Sequence, residues 1–405
     1  MSYLNKLRKN IVKNYIFIFF SRLDLTRGIW MIYLATKGMS LLQLGILEGI
    51  FHVTSLFMEV PTGVIADIYG RKASRILGRF TSLISIILLI YSNNFYLFAV
   101  SFVISALSYN LESGAGDALI YDSLKEIKEE EKYMKINGNN EMFMQISSVV
   151  AYALGGYLAA KNYVTAFGFS SIFTAITLIQ SFYFQEPNIK GETVKEKNPF
   201  KVMKNQVTTS IKIMKGNKKI GLLIVFSEIM AAFCTSLFFY LQNYWKGFGY
   251  TEFKIGVIYS AASIFAALTA VKVYDIERII GQKGVLIIMP FTNVLCIWGI
   301  ALTNYEYVFY VLMSVVDTIT YVTLSDYINK LIPSENRATI LSFRSMVFSF
   351  IMISLFPLIG RIGDAFSLNA AFKALATFGS ILLLMVVIFV PQGCRKCEMF
   401  EFFEI

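Results

Sequence analysis

The chain has 405 residues, of which 56% are hydrophobic and 16% charged, with a net charge of +10. Its mean hydropathy is +0.59. Soluble domains carry about 25% charge, so a soluble fold could not cover this much apolar surface. The composition instead predicts an all-α integral membrane protein in which lipid solvates the apolar faces. The basic charge excludes neither class by itself. Its placement along the chain points to a membrane surface and not to nucleic acid.

A spanning helix needs about 20 mostly apolar residues. Runs of that kind occur, in chain order, at residues 12–35, 41–65, 74–91, 96–119, 139–160 and 164–184. A second set occurs at 220–245, 255–274, 284–303, 307–331, 338–359 and 369–390. The expectation is about twelve transmembrane helices in two six-helix bundles, residues 1–184 and 220–390. A linker, 185–219, joins them, and residues 391–405 form a tail. The linker carries nine lysines. Its simplest role is a solvated spacer near anionic lipid. If the N-terminus is cytoplasmic, the outer segments hold only Lys37, Lys161, Lys246, Lys254 and Arg361, and most other basic residues fall inside. That bias predicts cytoplasmic N- and C-termini.

The four cysteines form no disulfide framework. Cys234 and Cys296 lie in apolar runs and read as inert interior residues. Cys394 and Cys397 are a lone C-x-x-C in the tail, which is half a zinc site. No metal or cofactor is expected. The basic start flows into a run long enough to span, without a small-residue cleavage site. The chain has no G-x4-G-K-[ST] loop, so it does not itself couple ATP to transport.

Gly63-Val-Ile-Ala-Asp67-Ile-Tyr-Gly70-Arg71-Lys72 follows the second span. With Glu59 and Pro61 upstream it forms E-x-P-x5-D-x3-R-K. This segment resembles the loop 2–3 signature of the major facilitator superfamily, in the variant found in TetA(P)-type tetracycline efflux proteins. Ser113–Leu124 and Asn329–Thr339 are similar to further segments of those relatives. A weaker echo, Asp275 to Lys283, follows the eighth span and fits an internal duplication. The resemblance implies the major facilitator fold and a transporter, not an enzyme. It also implies a gating latch made of Glu59, Pro61, Gly63, Asp67, Gly70, Arg71 and Lys72, with Arg337 or Arg344 as partner. In physical terms, Gly63 is expected to permit close helix packing. Asp67 is placed to meet a helix N-terminus, and Gly70 permits a sharp turn. The arginine that many drug antiporters carry before the span-four G-x-G is replaced by Asn110. The span-five glycine motif is partial, Gly155-Gly156.

Ionisable groups inside a membrane are costly, so each is a candidate site. Span one carries Arg22, Asp24 and Arg27. Taken as a helix, it puts Asp24 and Arg27 on one face, able to pair. Span two places Glu48, His52, Ser55 and Glu59 on one face, and His52 is the single histidine. Span four offers Asn110, Glu112 and Asp117. Span five begins near Glu141. The second half offers Glu228, Asp317 and Asp326. These are the candidate proton and substrate residues. The expected function is proton-coupled efflux of amphipathic small molecules by alternating access. The alternatives are nutrient import by proton symport and, remotely, a membrane-embedded transferase. The expected partners are the small-molecule substrate, a coupling proton and the lipid bilayer, with no nucleic acid. The expected setting is the bacterial plasma membrane, with the protein working as a monomer.

Overall fold

A computed structural model describes residues 3–188, 199–332 and 337–393. All its described elements are helical. α1 (Tyr3–Arg22) and α2 (Trp30–Thr36) are followed by α3 (Leu41–Tyr69), α4 (Arg71–Tyr91), α5 (Phe95–Glu126), α6 (Tyr133–Ala159) and α7 (Tyr163–Ser181). Then come α8 (Pro199–Gly216), α9 (Lys218–Gly247), α10 (Glu252–Leu302), α11 (Glu306–Leu331), α12 (Arg337–Ala365) and α13 (Leu368–Gly393). Among the described residues, ten helical segments are long and apolar enough to cross a membrane. The protein is a multi-pass membrane protein.

Local chemistry explains the boundaries. The side chain of Asn94 accepts a hydrogen bond from Leu97 N at 3.0 Å and opens α5. Asn162 does the same for α7 through Val164 N at 2.8 Å. Gly70, at φ 99°, separates α3 from α4. Gly281, at φ 67°, breaks the long α10 into segments 252–282 and 284–302. Both glycines occupy left-handed backbone that an L side chain rarely adopts.

One expectation needs correction. The first span is not one helix, because regular structure stops at Arg22 and resumes at Trp30. Within the segment read as a linker lies the 18-residue α8.

The helices gather into two units. One comprises residues 1–39, 46–205 and 249–260, and the other 40–45, 206–248 and 261–405. In the first, α4 packs along α5 through small residues. Ser74 Oγ donates to Leu111 O at 2.6 Å, and Ser108 Oγ donates to Gly78 O at 2.8 Å. A Cβ on Gly78 would stand 3.3 Å from Ser108 O. Close backbone approach over small residues is how helices associate where lipid removes the hydrophobic driving force. At one end of this unit Phe17, Leu119, Leu124, Ile136 and Phe184 form a buried apolar cluster. In the second unit the corresponding cluster joins Ile220, Ile224, Ile328, Ile332 and Ile340.

Candidate functional site

The interruption in the first span is built by its own side chains. Asp24 Oδ1 accepts from Thr26 N at 3.0 Å and from Thr26 Oγ1 at 2.6 Å. This local turn competes with helix propagation. Leu25 N, released from the helical ladder, donates to Ser170 Oγ of α7 at 2.9 Å. Asp24 and Arg27 therefore do not share the face of a regular helix, because the segment is not helical. Asp24 instead shapes the turn that presents Arg27. Arg27 hydrogen-bonds Tyr152 of α6 and lies within electrostatic range of Asp24, Glu48 and Tyr109. Arg22, Asp24 and Arg27 are all exposed although they sit midway along the span.

On α3, Glu48 and His52 are both buried, with Glu48 Oε1 3.8 Å from His52 Nε2. Ser55, one turn further on, donates to Asn110 Oδ1 at 2.8 Å, while Asn110 Nδ2 donates back to Ser55 O at 2.6 Å. The residue standing where an arginine was expected thus ties α5 to α3. Glu59 is half-buried.

Of the most elaborate cluster, the sequence singled out Glu112 and Asp117 but not Asn14, Arg75 or Arg79. Arg75 of α4 is 2% exposed. Its Nε donates to Glu112 at 2.9 Å, and its two terminal nitrogens donate to Asn14 Oδ1 at 3.0 and 3.1 Å. Its guanidinium lies 4.1 Å from the Phe17 ring centroid and 4.7 Å from that of Phe184. Arg79 reaches the other Glu112 oxygen at 3.9 Å. Two arginines thus share one carboxylate, and Asp117 lies within electrostatic range of the group and of Arg22. Glu141, exposed on α6, lies in range of Arg22 and Asp117. Arg75 and Arg79 stand four apart in an otherwise apolar run. That spacing was the available signal.

At the turn between α3 and α4, Asp67 Oδ1 accepts from Arg71 Nη1 at 2.6 Å, and Arg71 Nε lies 3.8 Å from Asp122. The N-terminus of α4 is met by Glu186, which accepts from Arg71 N at 2.8 Å and Lys72 N at 2.7 Å, where the first turn of α4 has unsatisfied donors. A Cβ on Gly70 would come within 2.8 Å of that carboxylate. Gly70 therefore serves both the positive φ and the cap. Gly63, expected to allow tight packing, is exposed and has no atom within 4 Å of a built Cβ. Pro61 lies inside α3. The segment carrying Glu186 is held by reciprocal bonds between Asn10 and Gln185, at 2.8 and 3.0 Å. Replacing Glu186 by alanine is expected to cost about 1 kcal/mol, the usual worth of a cap. Gly70→Ala should cost more, because strain and steric conflict add. Thermal unfolding of the full chain in detergent checks the order.

In the second unit, Glu228 of α9 and Arg344 of α12 form a buried ion pair. Ser227 Oγ donates to Glu228 at 2.9 Å, and Arg344 Nη1 donates to Ser325 Oγ at 3.3 Å. The guanidinium lies 5.2 Å from the Tyr321 ring. Arg344 Nη2 has no hydrogen-bond partner among the described residues. Asp317 hydrogen-bonds the Cys234 thiol, whose sulfur accepts from Asn293 Nδ2 at 3.1 Å. Cys234, read from sequence as inert, thus belongs to this site. Asp326 is exposed and pairs with Lys330 at 2.6 Å. The side chain of Arg337, and all of Cys394 and Cys397, lie outside the described residues.

Apolar spanning helices with interior ion pairs define a multi-pass helical membrane protein, and the family its sequence matches is one of membrane transporters, not of enzymes. The sequence pattern of the Major Facilitator Superfamily matches residues 16–357, and the chain belongs to that family. It is 23% identical over 376 residues to the Uncharacterized MFS-type transporter YxaM of Bacillus subtilis (strain 168), covering 90% of this chain and 91% of that protein. Its fold is similar to that of the nucleoside transporter NupG. There the TM-score is 0.74 at 14% identity, covering 96% of this chain and 98% of the other. A D-xylose-proton symporter matches with a TM-score of 0.68 at 12% identity, covering 96% and 98%.

Proposed function

We propose that this protein is a proton-coupled secondary transporter of small organic molecules that works by alternating access between two six-helix halves joined by residues 185–219. It sits in a bacterial plasma membrane with both termini cytoplasmic, a topology supported by the lysines of the linker. The observation that carries the proton assignment is Asp317, a carboxylate in the spanning helix α11 that hydrogen-bonds a neutral thiol. Charge is expensive at that depth, and protonation removes it. Asp24 and Glu48, gathered around Arg27, form the candidate counterpart in the first unit.

Efflux of amphipathic compounds is the first direction to test. It rests on the E-x-P form of the motif from Glu59 to Lys72. The second reading, symport of a nutrient, is favoured by Asn110, which bonds to Ser55 and supplies no cation. Purified protein in proteoliposomes distinguishes them. Uptake of a dye, tetracycline, sugar or nucleoside driven by an acidic lumen marks exchange, whereas uptake driven by an acidic exterior marks co-transport. Asp317→Asn and Asp24→Asn are each expected to abolish gradient-driven accumulation while leaving substrate exchange across a collapsed gradient. Full accumulation in both variants would remove these carboxylates from the mechanism. Accumulation that survives a collapsed proton gradient would remove the proton.

A further inference from the structure

The helix α8 has no part in the chemistry above, yet its faces are sharply divided. Lys201, Lys204, Thr208, Lys212 and Lys215 are spaced three, four, four and three residues apart, which places them in one stripe along the helix. All five are exposed. Ser210, on the opposite side, is 0% exposed and lies 3.5 Å from Thr339 O. Ile213 and Met214 pack on the buried cluster of Ile220, Ile224, Ile328, Ile332 and Ile340. One side of α8 is therefore fixed to the protein, and the other is a row of ammonium groups. From residue 197 to residue 227 the sequence has seven lysines and no Asp or Glu. Among the described residues no carboxylate pairs with Lys204, Lys212 or Lys215.

We propose that α8 is an interfacial helix whose lysine stripe binds the anionic headgroups of the adjoining lipid leaflet. The chain carries α8 directly into the spanning helix α9, whose early residues Leu222 and Val225 are 51% and 45% exposed. The lysines thus stand where an apolar, lipid-facing surface begins. Ile211, 39% exposed, adds an apolar side chain beside the stripe. Lysine stems lie along apolar surface while their ammonium groups reach outward to phosphate. Polybasic segments next to a spanning helix gain affinity for acidic lipid with each added cation. The stripe carries lysines and no arginines, so it makes point-charge contacts suited to mobile headgroups and not a fixed bidentate site.

The test uses the full chain in nanodiscs of phosphatidylcholine, alone or mixed with phosphatidylglycerol. Amide exchange in residues 199–216 is expected to slow about tenfold when phosphatidylglycerol is present. High salt should reverse the slowing, as should the combined variant Lys201→Gln, Lys204→Gln, Lys212→Gln and Lys215→Gln. Native mass spectrometry should show retained phosphatidylglycerol on the parent protein and little on the variant. An unchanged unfolding temperature in detergent shows that the variant is folded. Equal exchange in both lipids overturns the proposal. So does protection that ignores lipid composition but is lost on deleting residues 394–405, since the acidic tail with Glu398, Glu401 and Glu404 would then be the occupant.

Discussion

Replacing Glu228 by alanine is expected to destabilise the protein by about 3–5 kcal/mol, because it leaves the Arg344 guanidinium buried without its counter-charge. Arg344 and Glu228 have side-chain exposures of only 8% and 7%. The remaining partners of Arg344, a serine hydroxyl at 3.3 Å and the face of Tyr321, are neutral. One of its donors already lacks a hydrogen bond, so little is in reserve. Arg344→Ala should be similarly damaging, as among the described residues Glu228 would keep only the Ser227 hydroxyl. The double change Glu228→Met with Arg344→Met tests the physics. It removes both charges at nearly conserved volume and should recover most of the stability lost by either single variant. Unfolding midpoints of the parent, Glu228→Met, Arg344→Met and the double Met variant in one detergent give the coupling between the two residues. If each single variant is as stable as the parent, the pair is not desolvated as described. A double variant that regains stability but not transport would show that the pair acts in the transport cycle as well as in the fold.

Most of the helical frame was legible in the sequence, because a spanning helix must be apolar for its whole length. The run at 307–331 emerges as Glu306–Leu331, and that at 369–390 as Leu368–Gly393. The first span misled because its composition is apolar enough to span while its backbone is turned aside by two short-range bonds from Asp24. Hydropathy cannot register that competition. The candidate site was legible where charge interrupts apolarity, as at Arg27, Glu48, Glu228 and Asp317. Which groups meet was not, since pairing depends on packing between sequence-distant helices. Arg344 could be read either as serving the gating turn or as neutralising a carboxylate, and only packing names that carboxylate as Glu228, 116 positions away. Glu186 looked like the start of a linker, yet it caps α4 from 115 positions away. The linker also hid α8, because its lysines lower the mean hydropathy that marks a helix in this chain.

Gly156→Leu is expected to abolish transport and to destabilise the fold by at least about 1–3 kcal/mol, the cost of overpacking a well-packed contact. Gly155 and Gly156 of α6 press against main chain and not against movable side chains. A Cβ on Gly155 would overlap the carbonyl of Leu25, at the break in the first span, and one on Gly156 would overlap the carbonyl of Glu252 in α10. Gly256 returns the contact against the carbonyl of Tyr152, and the Gly156 and Gly256 positions lie 3.0–3.1 Å from each other's Cα when a Cβ is built. The crossing is reinforced by the Tyr163 hydroxyl, which donates to Glu252, and by Ser260 Oγ, which donates to Val149 O at 2.8 Å. Backbone cannot rotate away as a side chain can, so the substitution must separate the helices. That separation also displaces Tyr152, the hydrogen-bond partner of Arg27. A change at Gly156 is thus transmitted to the charged turn of the first span through one residue. Gly168→Leu on α7 is the control, because nothing lies within 4 Å of its built Cβ; it should leave both stability and transport near the parent values. If Gly156→Leu transports normally, the close approach of α6 and α10 is dispensable, and the link from that crossing to Arg27 falls with it.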